Sequence, residues 1–177
     1  DGRGAALLGF CFGLGAFGVG VSWIFVSLHT FGNMPVLLAA LVVAVFITIM
    51  ALYPAACGFL QAGLRHLPGS VRMVLVMPVS WVLLEWLRGW FLGGFPWLYL
   101  GYGQVDTLLA AVAPLGGVLA VSLLAAMAGA SIVLVLVGKK RERLCAMAVF
   151  FLILGVGFLT GRLVFVDPEG DLVKVAV

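Results

Sequence analysis

Pro35-Val-Leu-Leu-Ala-Ala-Leu-Val-Val-Ala-Val-Phe-Ile-Thr-Ile-Met-Ala-Leu-Tyr-Pro-Ala-Ala-Cys-Gly-Phe-Leu-Gln-Ala-Gly-Leu64 carries no charged residue from end to end. A helix that crosses a bilayer needs about 20 predominantly apolar residues, so this stretch predicts a membrane span. Four further runs have the same character, at roughly 5–28, 71–92, 108–137 and 144–163. They predict an all-α polytopic membrane protein with about five transmembrane helices within residues 1–165. Residues 166–177 read as a polar linker, Val166-Asp-Pro-Glu-Gly-Asp171, and the start of a β-strand, Leu172–Val177. Composition agrees. The chain is 64% hydrophobic and 10% charged, with a mean hydropathy of +1.27. A soluble domain carries about 25% charged residues, so a water-exposed surface is excluded.

Within the runs, a few residues predict how the helices pack. Gly9, Gly13, Ala16 and Gly20 share one face of the first run. Small residues on one face let a neighbouring helix approach closely. Pro35 suits the first turn of the second run. Pro54, inside it, removes a backbone hydrogen bond and predicts a kink, and Tyr53 beside it reads as a capping or packing residue, with a ligand contact as the alternative. Pro114, Gly116 and Gly117 predict that the fourth run is broken into a short interfacial piece and a spanning piece. Cys11, Cys57 and Cys145 all lie in apolar runs and read as small buried hydrophobes.

The basic residues are not gathered into a nucleic-acid-binding face. Arg3, Arg65, Arg72, Lys139, Lys140, Arg141 and Arg143 fall in alternate loops, whereas loops 29–34 and 93–107 hold no Lys or Arg. Cytoplasmic loops carry the excess of positive charge. The basic loops are therefore expected in the cytoplasm, with loop 93–107 and the C-terminus outside it.

Chemistry concentrates in Glu85-Trp-Leu-Arg-Gly-Trp-Phe-Leu-Gly-Gly-Phe-Pro-Trp-Leu-Tyr-Leu-Gly-Tyr-Gly-Gln-Val-Asp106. Glu85 and Arg88 stand three apart, on one side of a helix. Charge within an apolar segment marks either a structural pair or a functional site. Two readings stay open: an ion pair that pins helices, or an anchor for a lipid headgroup with Arg88 on a phosphate. Phe95, Pro96 and Trp97 form a stiff aromatic loop suited to a lipid portal or an interface anchor. Gln104 and Asp106 can meet a substrate amine, although Asp106 is better placed to cap the helix that follows. His29 is a lone loop histidine. No nucleophile with a base, phosphate-cradling loop, acid pair or metal-ligand cluster is present. The residues name no catalytic group, no metal and no cofactor.

Several of these segments resemble one known family. Phe17-Gly-Val-Gly-Val-Ser-Trp-Ile-Phe-Val-Ser-Leu-His-Thr-Phe-Gly-Asn-Met-Pro35 is similar to the third helix and following loop of apolipoprotein N-acyltransferases. Glu85-Trp-Leu-Arg-Gly-Trp90, Gly94-Phe-Pro-Trp-Leu-Tyr-Leu-Gly-Tyr-Gly-Gln104 and Ala113-Pro-Leu-Gly-Gly117 match the same family in the same order. The resemblance implies eight transmembrane helices with a nitrilase-like catalytic domain inserted before the last. It implies a Cys thioester that takes an acyl chain from a phospholipid donor. The acceptor would be the N-terminal diacylglyceryl-cysteine of a lipoprotein, at the bacterial inner membrane. This chain would supply helices three to seven and the first nitrilase strand. Both ends then read as cut, since the chain opens on Asp1-Gly-Arg3. The family's Glu, Lys and Cys have no counterpart here, so the chain alone is expected to be inactive. Its expected role is to present lipid through Glu85, Arg88, Phe95, Pro96, Trp97 and Gln104. The rival reading is a small transport or lipid-binding module without catalysis.

Overall fold

The computed structural model describes residues 1–165. Within them the chain is helical, with α1 (Gly2–Gly20), α2 (Trp23–Val26), α3 (Val36–Gly63), α4 (Gly69–Val71), α5 (Met77–Arg88), α6 (Ala113–Val137) and α7 (Lys140–Thr160). A π-helical turn, Arg72–Val76, joins α4 to α5. Five segments are long and apolar enough to cross a bilayer: Gly2–Gly20, Val36–Gly63, Gly69–Arg88, Leu108–Val137 and Lys140–Thr160. The chain is thus a polytopic α-helical membrane protein. The expected terminal strand, 172–177, lies outside the described residues.

The small-residue face of α1 does what its spacing predicts. A Cβ on Gly13 would stand 2.7 Å from the Ala51 Cα, and one on Gly9 would press into the backbone of Pro54 and Ala55. Small residues therefore let α1 and α3 touch backbone to backbone, which dispersion favours where lipid supplies no hydrophobic drive. Phe17, Val21 and Met50 bury the upper part of that seam. A second core, Leu109, Val121 and Ile153, joins α6 to α7.

Several boundaries differ from the expectation. The first span ends at Gly20. Val21 and Ser22 turn the chain into α2, and a π turn, Ser27–Phe31, follows. His29 donates Nδ1–H to the Met34 carbonyl at 2.9 Å, closing that connection. The fourth span is broken where Pro114, Gly116 and Gly117 predicted. A 3₁₀ segment, Leu108–Val112, precedes α6, and Gly116 and Gly117 leave helical geometry. Thr107, not Asp106, caps it: the Thr107 hydroxyl accepts from the Leu109 N–H at 3.2 Å, and Asp106 is exposed. The shorter Thr side chain sits directly before the first turn, which is the position a cap requires. Of the cysteines only Cys57 is buried. Cys11 and Cys145 lie on the outside of the bundle, because a lipid-facing helix surface accepts small apolar groups as readily as a core does.

Candidate functional site

The segment between α5 and α6 folds back over the end of the bundle, and Arg88 explains how. Arg88 Nη1 donates to the Phe95 carbonyl at 2.8 Å and to the Trp97 carbonyl, and Nη2 makes a longer contact with the Leu98 carbonyl. In return the Phe95 N–H donates to the Arg88 carbonyl at 2.7 Å. The guanidinium lies between two rings, 5.2 Å from the centroid of Phe17 and 5.0 Å from that of Tyr99. A planar fork flanked by aromatic faces is a geometry that Arg provides and Lys does not. Arg88 is 3% exposed, so backbone carbonyls replace water around a charge in the apolar phase.

Glu85 fastens the next stretch. Its Oε1 accepts from the Leu100 N–H at 2.8 Å and from Trp81 Nε1 at 3.0 Å. Arg88 therefore spends its contacts on the loop, and Glu85 divides its own between the loop and Trp81 of α5, rather than either pairing with the other. The direct pair suggested by their spacing gives way to two clamps, because the returning backbone supplies desolvated partners within reach. Further along, the Gly101 N–H donates to the Ser122 hydroxyl of α6 at 2.8 Å. Three side chains thus take up backbone groups of the loop, among them the first two N–H groups of its 3₁₀ turn Leu100–Gln104, as burial demands.

The turn itself depends on unusual backbone. Gly94 has φ +76, and a Cβ there would stand 2.8 Å from the Gly89 carbonyl carbon. Leu98 has φ +62, a left-handed conformation that costs a non-glycine residue roughly 1–3 kcal/mol and gathers at sites where surroundings impose it. Leu98 packs against Gly20 of α1, where a side chain would collide with it.

Aromatic packing completes the loop. Phe95 stacks on Trp97 at 5.3 Å and meets Phe46 of α3 edge-on at 4.8 Å. Tyr99 is buried and stacks on Tyr102 at 5.7 Å. Burial, and to a smaller degree the Glu85 charge, pushes the Tyr99 phenol above its ordinary value, against the pull of Arg88. Tyr99 thus stays a neutral hydroxyl at physiological pH. Trp97 and Tyr102 are exposed, and Pro96 and Gln104 half-buried. All four line a broad concavity on the loop's outer surface. Gln104 Oε1 accepts from the Thr107 hydroxyl at 3.3 Å.

The sequence-predicted residues therefore divide. Phe95, Pro96, Trp97 and Gln104 belong to the loop, and Glu85 and Arg88 hold it from below. Trp81, Ser122 and Thr107 were missed. Trp81 had a signal, standing one helical turn before Glu85 on the same face. Ser122 had none, since a serine within Ala120-Val-Ser-Leu123 looks like any small residue of a span. Among the described residues, no three His, Cys, Asp or Glu side chains come together as a metal site would need.

Fold and site together define a multi-pass membrane protein with a clamped aromatic loop across one end of its bundle. Residues 1–131 match the family model described as the apolipoprotein N-acyltransferase N-terminal domain, and the chain belongs to that family. It is 42% identical to the apolipoprotein N-acyltransferase of Methylococcus capsulatus over 98% of this chain and 34% of that protein. The Photobacterium profundum apolipoprotein N-acyltransferase is 46% identical over 67% of this chain and 23% of its own length. That of Vibrio cholerae is 36% identical over 94% and 32%. The chain thus spans about a third or less of the length of these relatives.

Proposed function

We propose that this chain is the membrane portion of a lipoprotein N-acyltransferase of the bacterial inner membrane, and that its clamped loop is the lipid-presenting floor of the reaction site. The whole enzyme would move an acyl chain from a phospholipid to the amine of a diacylglyceryl-cysteine, through a Cys thioester on a nitrilase-like domain. No residue of this chain takes a catalytic role in that reading. One observation carries it. A loop with two Gly at positive φ, a strained Leu98 and two buried charged clamps is held rigid, while Trp97, Tyr102, Pro96 and Gln104 remain on an open concavity. Rigid support under exposed aromatics is what positioning a flexible lipid requires. Arg88 acts in it as a positioning residue, since its donors go to the loop carbonyls.

The experiment is single-turnover acyl-enzyme formation by the full-length protein in phospholipid nanodiscs. Trp97→Ala, at an exposed position, and Gln104→Ala, at a half-buried one, should lower the rate about tenfold or more while leaving thermal stability within about 1 kcal/mol. Unchanged acylation in both variants overturns the presenting role.

A further inference from the structure

A second site lies beneath the loop, on the bundle's inner side. Phe12 and Phe17 of α1, Tyr53 of α3, and Trp81 and Glu85 of α5 surround a cavity of about 200 Å³, roofed by Leu98 and Leu100. Phe12, at its rim, is 60% exposed and meets Trp81 edge-on at 6.0 Å, so the cavity opens sideways between α1 and α5. Its wall is almost wholly apolar. One buried, unpaired polar atom stands out. Glu85 Oε2 is buried and has no hydrogen-bond partner among the described residues, while both donors that reach the carboxylate go to Oε1. Glu85 as a residue is 3% exposed. Leaving a buried carboxylate oxygen unpaired is costly, so its native complement includes a donor.

The chemistry of that donor can be narrowed. A water molecule at a buried site needs two to four polar partners; beside Oε2 this wall offers the Tyr53 hydroxyl, since Trp81 and Arg88 already donate elsewhere. A ligand with an apolar body and one donor fits better, because the body meets the walls and the donor meets Oε2. A cationic donor fits poorly. Glu85 and Arg88 on the same wall already sum to zero charge, and an added ammonium would bring uncompensated charge into an apolar space. An anion would meet Glu85. We propose that this cleft binds a neutral, hydroxyl-bearing amphiphile from the bilayer, its alkyl body between α1 and α5 and its O–H donating to Glu85 Oε2.

The test uses the intact protein in phosphatidylcholine nanodiscs and a long-chain primary alcohol carrying a mid-chain diazirine, with adducts mapped by peptide mass spectrometry. Saturable labelling should fall on Phe12, Tyr53 or Trp81. Dodecanol should compete about tenfold better than dodecyl methyl ether, the worth of one hydrogen bond to a charged acceptor. Glu85→Gln keeps one oxygen for Leu100 and Trp81 but replaces Oε2 with an amide NH₂, so it should level that preference. Equal competition by the ether in the wild-type protein overturns the proposal, and needs no variant to fold. So does labelling spread unsaturably over the lipid-facing helices, stronger competition by dodecylammonium, or an unchanged preference in Glu85→Gln. No acyl acceptor is required, so the outcome is independent of the acyl-transfer reading.

Discussion

Arg88 shows how much one side chain can specify. It stands at the last turn of α5, yet its partners lie seven to ten residues further on. Removing it leaves the carbonyls of Phe95 and Trp97 buried without that donor. Each unsatisfied group costs about 1–3 kcal/mol, so Arg88→Ala should destabilise the protein by roughly 2–5 kcal/mol. Arg88→Lys should recover some of this, because one ammonium reaches one carbonyl but cannot stack between Phe17 and Tyr99. SDS-titrated unfolding in mixed micelles measures both. Asp106→Ala, at an exposed position, is the control and should stay within about 0.5 kcal/mol. Equal stability of Arg88→Ala and the control would remove the clamp from the account. The sequence marked Arg88 and Glu85 as important because charge in an apolar run is rare. Their partners in the loop were not legible, because those depend on a chain that folds back through left-handed residues. Spacing along a helix reports only neighbours within the helix, which is why it suggested a direct pair.

At the scale of elements, a close helix approach along α1 was legible from Gly9 and Gly13, which meet α3, because close approach in lipid has few other solutions; of the other two small residues, Ala16 is exposed and Gly20 packs against Leu98 of the loop. The π turns at Ser27–Phe31 and Arg72–Val76 were not, since nothing in Ser27-Leu-His-Thr-Phe31 or Arg72-Met-Val-Leu-Val76 marks a wider turn apart from an α-helical one. Gly13 and Gly15 separate the seam from the helix that carries it. A Cβ on Gly13 would stand within 3.1 Å of three Ala51 atoms, whereas one on Gly15 meets nothing within 4 Å. Gly13→Ala must push the α1 and α3 backbones apart and should cost about 1–3 kcal/mol, as overpacking does. Gly15→Ala should be neutral or stabilising by up to about 1 kcal/mol, because alanine favours helix. The same SDS titration reads the difference. Similar values for both would mean that α1 and α3 are not in close contact.

For the whole molecule, the arrangement of charge has a geometric counterpart. The starts of α1 and α4 and the end of α3 meet at one end of the bundle, where Asp1, Arg65 and Arg72 line a shallow hollow. The clamped loop lies toward the other end, where a Cβ on Gly157 near the end of α7 would meet Leu108 at the start of the fourth span. That end is not free of cations. Arg88 is buried in it, and Arg162 lies just past α7 with its guanidinium 4.5 Å from the Phe158 ring centroid, because α7 stops at Thr160, short of the expected 163. Seven basic residues at the ends of alternate spans still outweigh these two, and a buried, carbonyl-bound Arg88 contributes little to a count made over loops. The loop end should therefore face away from the cytoplasm. In a background with Cys11, Cys57 and Cys145 changed to Ala, Gly103→Cys should react with a membrane-impermeant maleimide in spheroplasts. Ser70→Cys, at the basic end, should react only after the membrane is broken. The reverse pattern would put the aromatic loop on the cytoplasmic side. Trp97 and Tyr102 would then be unable to serve an acyl transfer carried out by a domain outside the cell membrane.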